Sequence, residues 1–188
     1  MVKITTEQIE QNYSLFLKKL SSLGVETKLL EERLGDKLKN ATYSMSTENS
    51  SAAFDGSLLH VVLRTLTPMA LEVKKLLGEK ADYIDNNSLI KVCLLFQISK
   101  AEMFEPNTNE WEIKNRGILY KYTKQEYALK MGMWSLIICQ ECGISLTRDE
   151  IEAMTAIDRE SETQTRFYAS PFANIIISAN NLTNVKIK

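Results

Sequence analysis

The chain carries a single histidine, His60, and that narrows the chemistry open to it. A Ser-His-Asp or Cys-His relay, or a zinc site with several imidazoles, would have to be built around this residue or not at all. Three cysteines are an odd number, too few for a disulfide scaffold, and they suit a reducing compartment. Cys139 and Cys142 form a C-x-x-C pair. A zinc ribbon needs a second ligand pair, which the sequence lacks, and a thioredoxin-like site needs the pair at a helix start after a strand. Here the pair closes an apolar helix, so both residues read as packing thiols. There is no Gly-rich phosphate loop and no G-x-S-x-G elbow.

Two charged sets remain. Lys114, Arg116, Lys121, Lys124 and Lys130 are interleaved with Trp111, Tyr120, Tyr122 and Tyr127. Such mixing can stack and clamp a single-stranded nucleic acid or contact a protein partner. Glu110, Glu112 and Glu126 dilute the charge, and a solvated hairpin with amphipathic aromatics gives the same pattern. Asp149, Glu150, Glu152, Asp158, Glu160 and Glu162 make an acidic stretch that reads as a solvated face, or otherwise as a docking surface for a basic partner.

The elements that must position these groups belong to an ordinary globular chain. It has 188 residues, 44% of them apolar and 25% charged, which suffices for one core and one domain. Its formal net charge of -1 leaves no overall pull toward nucleic acid or anionic membrane. Seven glycines and three prolines argue against linkers and wholesale disorder. No apolar run reaches the roughly 18–20 residues that span a bilayer. The first residues turn acidic at Glu7, where a secretory signal would turn apolar, so a soluble, cytoplasmic protein is expected.

Periodicity predicts a mainly α fold. Ile9, Tyr13, Phe16, Leu17 and Leu20 mark an amphipathic helix from Thr5 or Thr6 to Leu23, with Thr6 as cap and Gly24 as stop. A second helix runs from Thr27 to Leu38, so residues 1–40 form an N-terminal helical pair. Residues 41–56 are polar and read as a long loop, and 57–182 as the helical core. Within that core a helix to about Leu77 must kink or break at Pro68, and Asn86-Asn87-Ser88 caps a helix that is apolar nearly all round. A small β-hairpin is expected over about 103–122, a helix over Lys124–Cys142, and a capping box at Thr147–Glu150. Pro171 opens a last helix to Leu182, and the alternating tail 183–188 reads as an edge strand for a neighbouring chain.

An ordered set of motifs gives these elements a further meaning. Phe54-Asp55-Gly56-Ser57-Leu58-Leu59-His60-Val61 is followed by Leu94-Leu95-Phe96-Gln97-Ile98-Ser99-Lys100 and by Lys114-Asn115-Arg116-Gly117 with Tyr120-Lys121-Tyr122. Then come Met131-Gly132-Met133-Trp134-Ser135-Leu136, Leu146-Thr147-Arg148-Asp149-Glu150 and Ser170-Pro171-Phe172-Ala173. From Ile4 to Leu182 this resembles the HD-domain metal-dependent phosphohydrolases, especially small bacterial and phage-encoded members. The resemblance implies a single HD-like helical bundle. In that family a His, a His-Asp pair and a distant Asp surround a divalent metal, which lowers the pKa of bound water and steadies charge on a phosphoryl group.

Placed on this sequence, the ligand positions fall on Val61, on Phe96-Gln97, near Ile157 beside Asp158, and on Asn180 or Asn181. His60 stands one residue early, about 100° around a helix, and is expected to face away with a partly exposed structural role. Apolar groups at three of the positions imply a filled pocket, and Gln and Asn avoid burying a carboxylate without its metal. The expectation is therefore a chain with no metal and no cofactor. It would be a non-catalytic structural or interaction protein working with protein partners in a homo- or hetero-oligomer, such as a phage virion ring, connector or packaged component. The alternatives are a divalent-metal phosphohydrolase acting on a nucleotide, and a nucleotide-binding pseudoenzyme.

Overall fold

The structure, a computed structural model, describes residues 4–158 and 169–188. It is mainly α with one two-stranded antiparallel sheet. Helix α1 (Thr6–Ser22) is capped by Thr5 rather than Thr6: the Thr5 hydroxyl accepts the Gln8 N–H, and the Gln8 side chain accepts the Thr5 N–H at 2.8 Å. Gly24, at φ +78°, ends the segment in the left-handed region that a side chain would disfavour. Helix α2 spans Lys28–Asn40.

The 41–56 segment forms no helix or strand of its own, yet its polar groups are spoken for. The Ser57 hydroxyl accepts the Tyr43 N–H at 2.9 Å and donates to the Ala52 carbonyl at 2.7 Å. The Ser51 N–H and hydroxyl both donate to the Ile187 carbonyl, at 2.7 and 2.8 Å. That many serines are needed because a packed loop must satisfy its backbone without a ladder.

Next come α3 (Ser57–Val61), a π-helical turn (Val62–Leu66) and α4 (Thr67–Leu77). The break expected at Pro68 takes this form: the ring tolerates no close carbonyl behind it, and the Thr67 N–H reaches back to Val62 instead. The Thr67 hydroxyl also donates to the Val62 carbonyl at 2.8 Å. Helix α5 (Asn86–Leu95) is capped by Asp85, not by the Asn-Asn-Ser run. Its Leu89, Val92, Cys93, Leu94 and Leu95 are all buried, which places α5 in the interior as its apolar composition predicts.

The expected small antiparallel pair is present within 103–122, but a helix lies between its strands. After α6 (Lys100–Met103), strands β1 (Phe104–Pro106) and β2 (Tyr120–Tyr122) pair antiparallel with Phe104 opposite Tyr122. Between them lies helix α7 (Glu110–Arg116), capped by the Asn109 side chain and stopped at Gly117. Trp111, Lys114 and Arg116 are thus helical, not strand residues.

Helix α8 covers only Met131–Glu141, not Lys124–Cys142. Its start is fixed from outside: the Asp158 carboxylate accepts the N–H groups of Gly132 and Met133 at 2.9 and 2.8 Å, and an N-terminus held there leaves 123–130 irregular. Helix α9 (Arg148–Ala156) carries the expected Thr147–Glu150 capping box. Helix α10 (Pro171–Lys186) runs on through the segment read as an edge strand, because Thr183 faces the core and is fully buried. Buried side chains from α1 to α10 join one contiguous core. Among the described residues no helix is long and apolar enough to cross a membrane.

Candidate functional site

Helices α3 and α10, and the residues just past the ends of α5 and α9, carry the positions singled out in the sequence. Val61 is 3% exposed and Phe96 is fully buried, both inside the core cluster, and Ile157 packs against it partly buried. Gln97, just past the end of α5, and Asn180, on α10, meet directly: the Gln97 Nε2 donates to the Asn180 Oδ1 at 3.0 Å. Two neutral amides therefore face each other at these positions.

Two neighbours escaped the sequence reading. The Tyr43 hydroxyl lies between α10 side chains, donating to the Asn184 Oδ1 at 2.8 Å and the Asn180 Oδ1 at 3.4 Å. Burial pushes this phenol up to about 12. The Lys100 ammonium sits 3.7 Å from the centre of the Tyr43 ring and donates to the Tyr43 carbonyl at 2.9 Å. Loss of solvent pulls its pKa down to about 7. An aromatic in a Ser/Thr/Asn-rich loop, which also holds Phe54, was the one available signal for Tyr43.

Asn180 thus accepts from both Gln97 and Tyr43, while Gln97 Oε1 and Thr183 Oγ1 are buried without a protein partner. Among the described residues no group of three or more His, Cys, Asp or Glu could hold a metal ion. The cluster offers amide and hydroxyl oxygens and one ammonium, a set poor in the anionic donors that first-row divalent ions prefer.

His60 is half-buried, with its Nδ1 3.5 Å from the Asn12 side-chain amide of α1. Burial, and then the Arg64 cation, hold its pKa below the usual value. All three cysteines are free and buried, and burial raises the pKa of each, to about 12 for Cys93 and Cys139. Thiols held neutral in this way are poor nucleophiles and poor ligands.

The aromatic and cationic set is divided. Trp111 and Tyr122 are exposed, the latter packed on Phe104 with ring centres 5.3 Å apart. Tyr120 is buried, its hydroxyl donating to the Asp55 Oδ1 at 2.6 Å. Lys114 pairs with Glu110 and Lys121 with Glu105, at 3.2 and 3.3 Å, leaving Arg116 and Lys124 without a side-chain partner among the described residues.

Much of the acidic stretch is internal rather than solvated. Glu150 is 1% exposed and bound by Lys91 at 2.8 Å, Glu152 accepts the Ser170 N–H, and Asp158 holds α8. Asp149 is exposed, while Glu160 and Glu162 lie outside the described residues.

A cleft of about 670 Å³ opens between the end of α2, the sheet and the 123–127 segment. Its walls are fixed by hydrogen bonds: the Trp134 Nε1 donates to the Glu102 Oε2 at 2.8 Å, and Arg33, itself paired with Glu141, binds the same Glu102 carboxylate at 3.4 Å. The Tyr120–Asp55 pair forms another side. No motif points to this cleft, whose lining comes from segments far apart in the chain. Comparison with family models, with curated proteins and with solved structures finds no match.

Proposed function

We propose that the chain is a non-catalytic interaction or structural subunit built on a metal-free HD-like scaffold. One observation carries this reading: where the resemblance calls for metal ligands, Gln97 and Asn180 are spent on each other and on Tyr43, and Phe96 and Val61 belong to the core. Generating a hydroxide at neutral pH takes a metal or a strong base, and neutral amides beside apolar groups supply neither. A compact helical body is readily reused by altering its surface, and a component of a phage virion, repeated through head-to-tail contacts, is the setting that best suits it.

The test is metal analysis of the purified chain after incubation with Mn²⁺ or Co²⁺, together with a phosphatase screen over nucleotides. The expected result is sub-stoichiometric metal and no turnover, with the protein recovered in a large particle or oligomer. Stoichiometric metal with turnover would overturn the reading in favour of a phosphohydrolase. A thermal shift with one nucleotide and no turnover would replace it with a nucleotide-binding pseudoenzyme.

A further inference from the structure

The cleft bounded by Asp55, Glu102 and Trp134 combines ligand-sized volume, aromatic walls and a fixed frame. About 670 Å³ is within the usual range for ligand pockets and is ample for one long side chain with a stretch of backbone. Phe104, Tyr120, Tyr127 and Trp134 supply the apolar surface. The faces of such rings carry negative potential and attract a cation, most strongly where water is thinned out.

The charges agree with the rings. Asp55 and Glu102 are joined around the cleft by Glu105 and Glu126, against Lys37 and Lys124. Glu102 is saturated by Arg33 and Trp134, and Glu105 is paired with Lys121. Asp55 keeps one oxygen free beyond its bond from Tyr120, and Glu126 has no hydrogen bond or ion pair among the described residues. Both lysines are exposed and can swing away into water at small cost, whereas Asp55 is anchored by its bond from Tyr120. The Gln125 side chain also lines the cleft, and its amide nitrogen is buried with no acceptor. An uncompensated donor of that kind is satisfied by a peptide carbonyl after a turn about the last side-chain bond.

We propose that this cleft receives an arginine side chain from a basic segment of a partner protein, its guanidinium held by Asp55 and Glu126 against the aromatic walls. The inference rests on the interaction-subunit reading and names the chemistry of the partner. Arginine fits better than lysine because a planar guanidinium lies flat on a ring while donating sideways to carboxylates.

The test uses the full chain carrying W111F, which leaves Trp134 as the only indole, and follows its fluorescence on titration with acetyl-Gly-Arg-Gly-amide. A saturable change is expected, with the citrulline peptide, equal in shape but uncharged, at least tenfold weaker. E126Q, at an exposed and unpaired position, should weaken the arginine peptide severalfold and leave Tm unchanged. No saturable change, equal binding of the citrulline peptide, or tighter binding of adenosine monophosphate lost on K37Q/K124Q would each overturn the inference. Metal content and turnover play no part in these readings, so an empty cleft in a metal-free chain sinks this inference alone.

Discussion

Gly132, in the first turn of α8, lies so close to Met154 of α9 that a Cβ built on it would stand 2.2 Å from the Met154 carbonyl oxygen. That approach also lets the Asp158 carboxylate reach the Gly132 N–H. The two helices meet backbone to backbone here, with no room for a methyl group. G132A is therefore expected to destabilise the chain by about 3 kcal/mol, although alanine is the better helix former. Urea unfolding of the variant measures this, and a change below half a kcal/mol would mean that α8 and α9 are not so closely packed.

The amide pair at Gln97 and Asn180 should behave as a unit. Q97L leaves the Asn180 Oδ1 with only the longer Tyr43 bond, and a loss of about 2 kcal/mol is expected. Adding N180L removes the orphaned group, so the double variant should be less damaged than the sum of the singles. A double-mutant cycle reads the coupling directly, and simple additivity would contradict the observed contact.

Lys100 sets a pH dependence. With a folded pKa of about 7 against an ordinary 10.5, the unfolded chain binds this proton more readily between those values. Stability should therefore climb with pH from 7 upward, by at most about 1.4 kcal/mol per unit. Above about pH 8.5 the buried thiols and phenols, whose pKa values are raised, act in the opposite sense. Denaturant melts of wild type and K100M at pH 7.0, 7.75 and 8.5 compare the slopes, and K100M should lack the rise.

His60 acts lower on the scale. Its folded pKa lies below the ordinary 6.5, so it binds its proton more weakly in the folded chain, and stability falls as pH drops below about 6.5. H60Q should flatten that limb between roughly pH 5.5 and 6.5, ahead of the carboxylates. As the chain has one histidine, a single imidazole resonance followed by NMR gives the pKa without assignment, and a midpoint above 6.5 would refute the prediction.

Much of the helical plan could be read from local signals. The Thr147–Glu150 box announces α9, Pro171 opens α10, and the run 89–96, apolar except for Lys91, marks the central helix. Where tertiary contacts decide, the sequence misleads. The start of α8 is set by Asp158 from outside the helix, and α10 extends past Leu182 because Thr183 has a place in the core. Helix α7 did leave traces in Asn109 and Gly117, but its short alternation around a turn matched a strand template equally well. At the site, Gln97 and Asn180 were singled out through motif resemblance. Tyr43 and Lys100, 57 positions apart, meet only once the 41–56 segment folds over α6.

The grip of Ser51 on the Ile187 carbonyl spans 136 positions. On the ribosome that clasp cannot close until α10 has emerged, so the serine-rich stretch has to wait, still hydrated, while the helices behind it assemble. Its ordering then becomes a late latch, set only after α10 is in place.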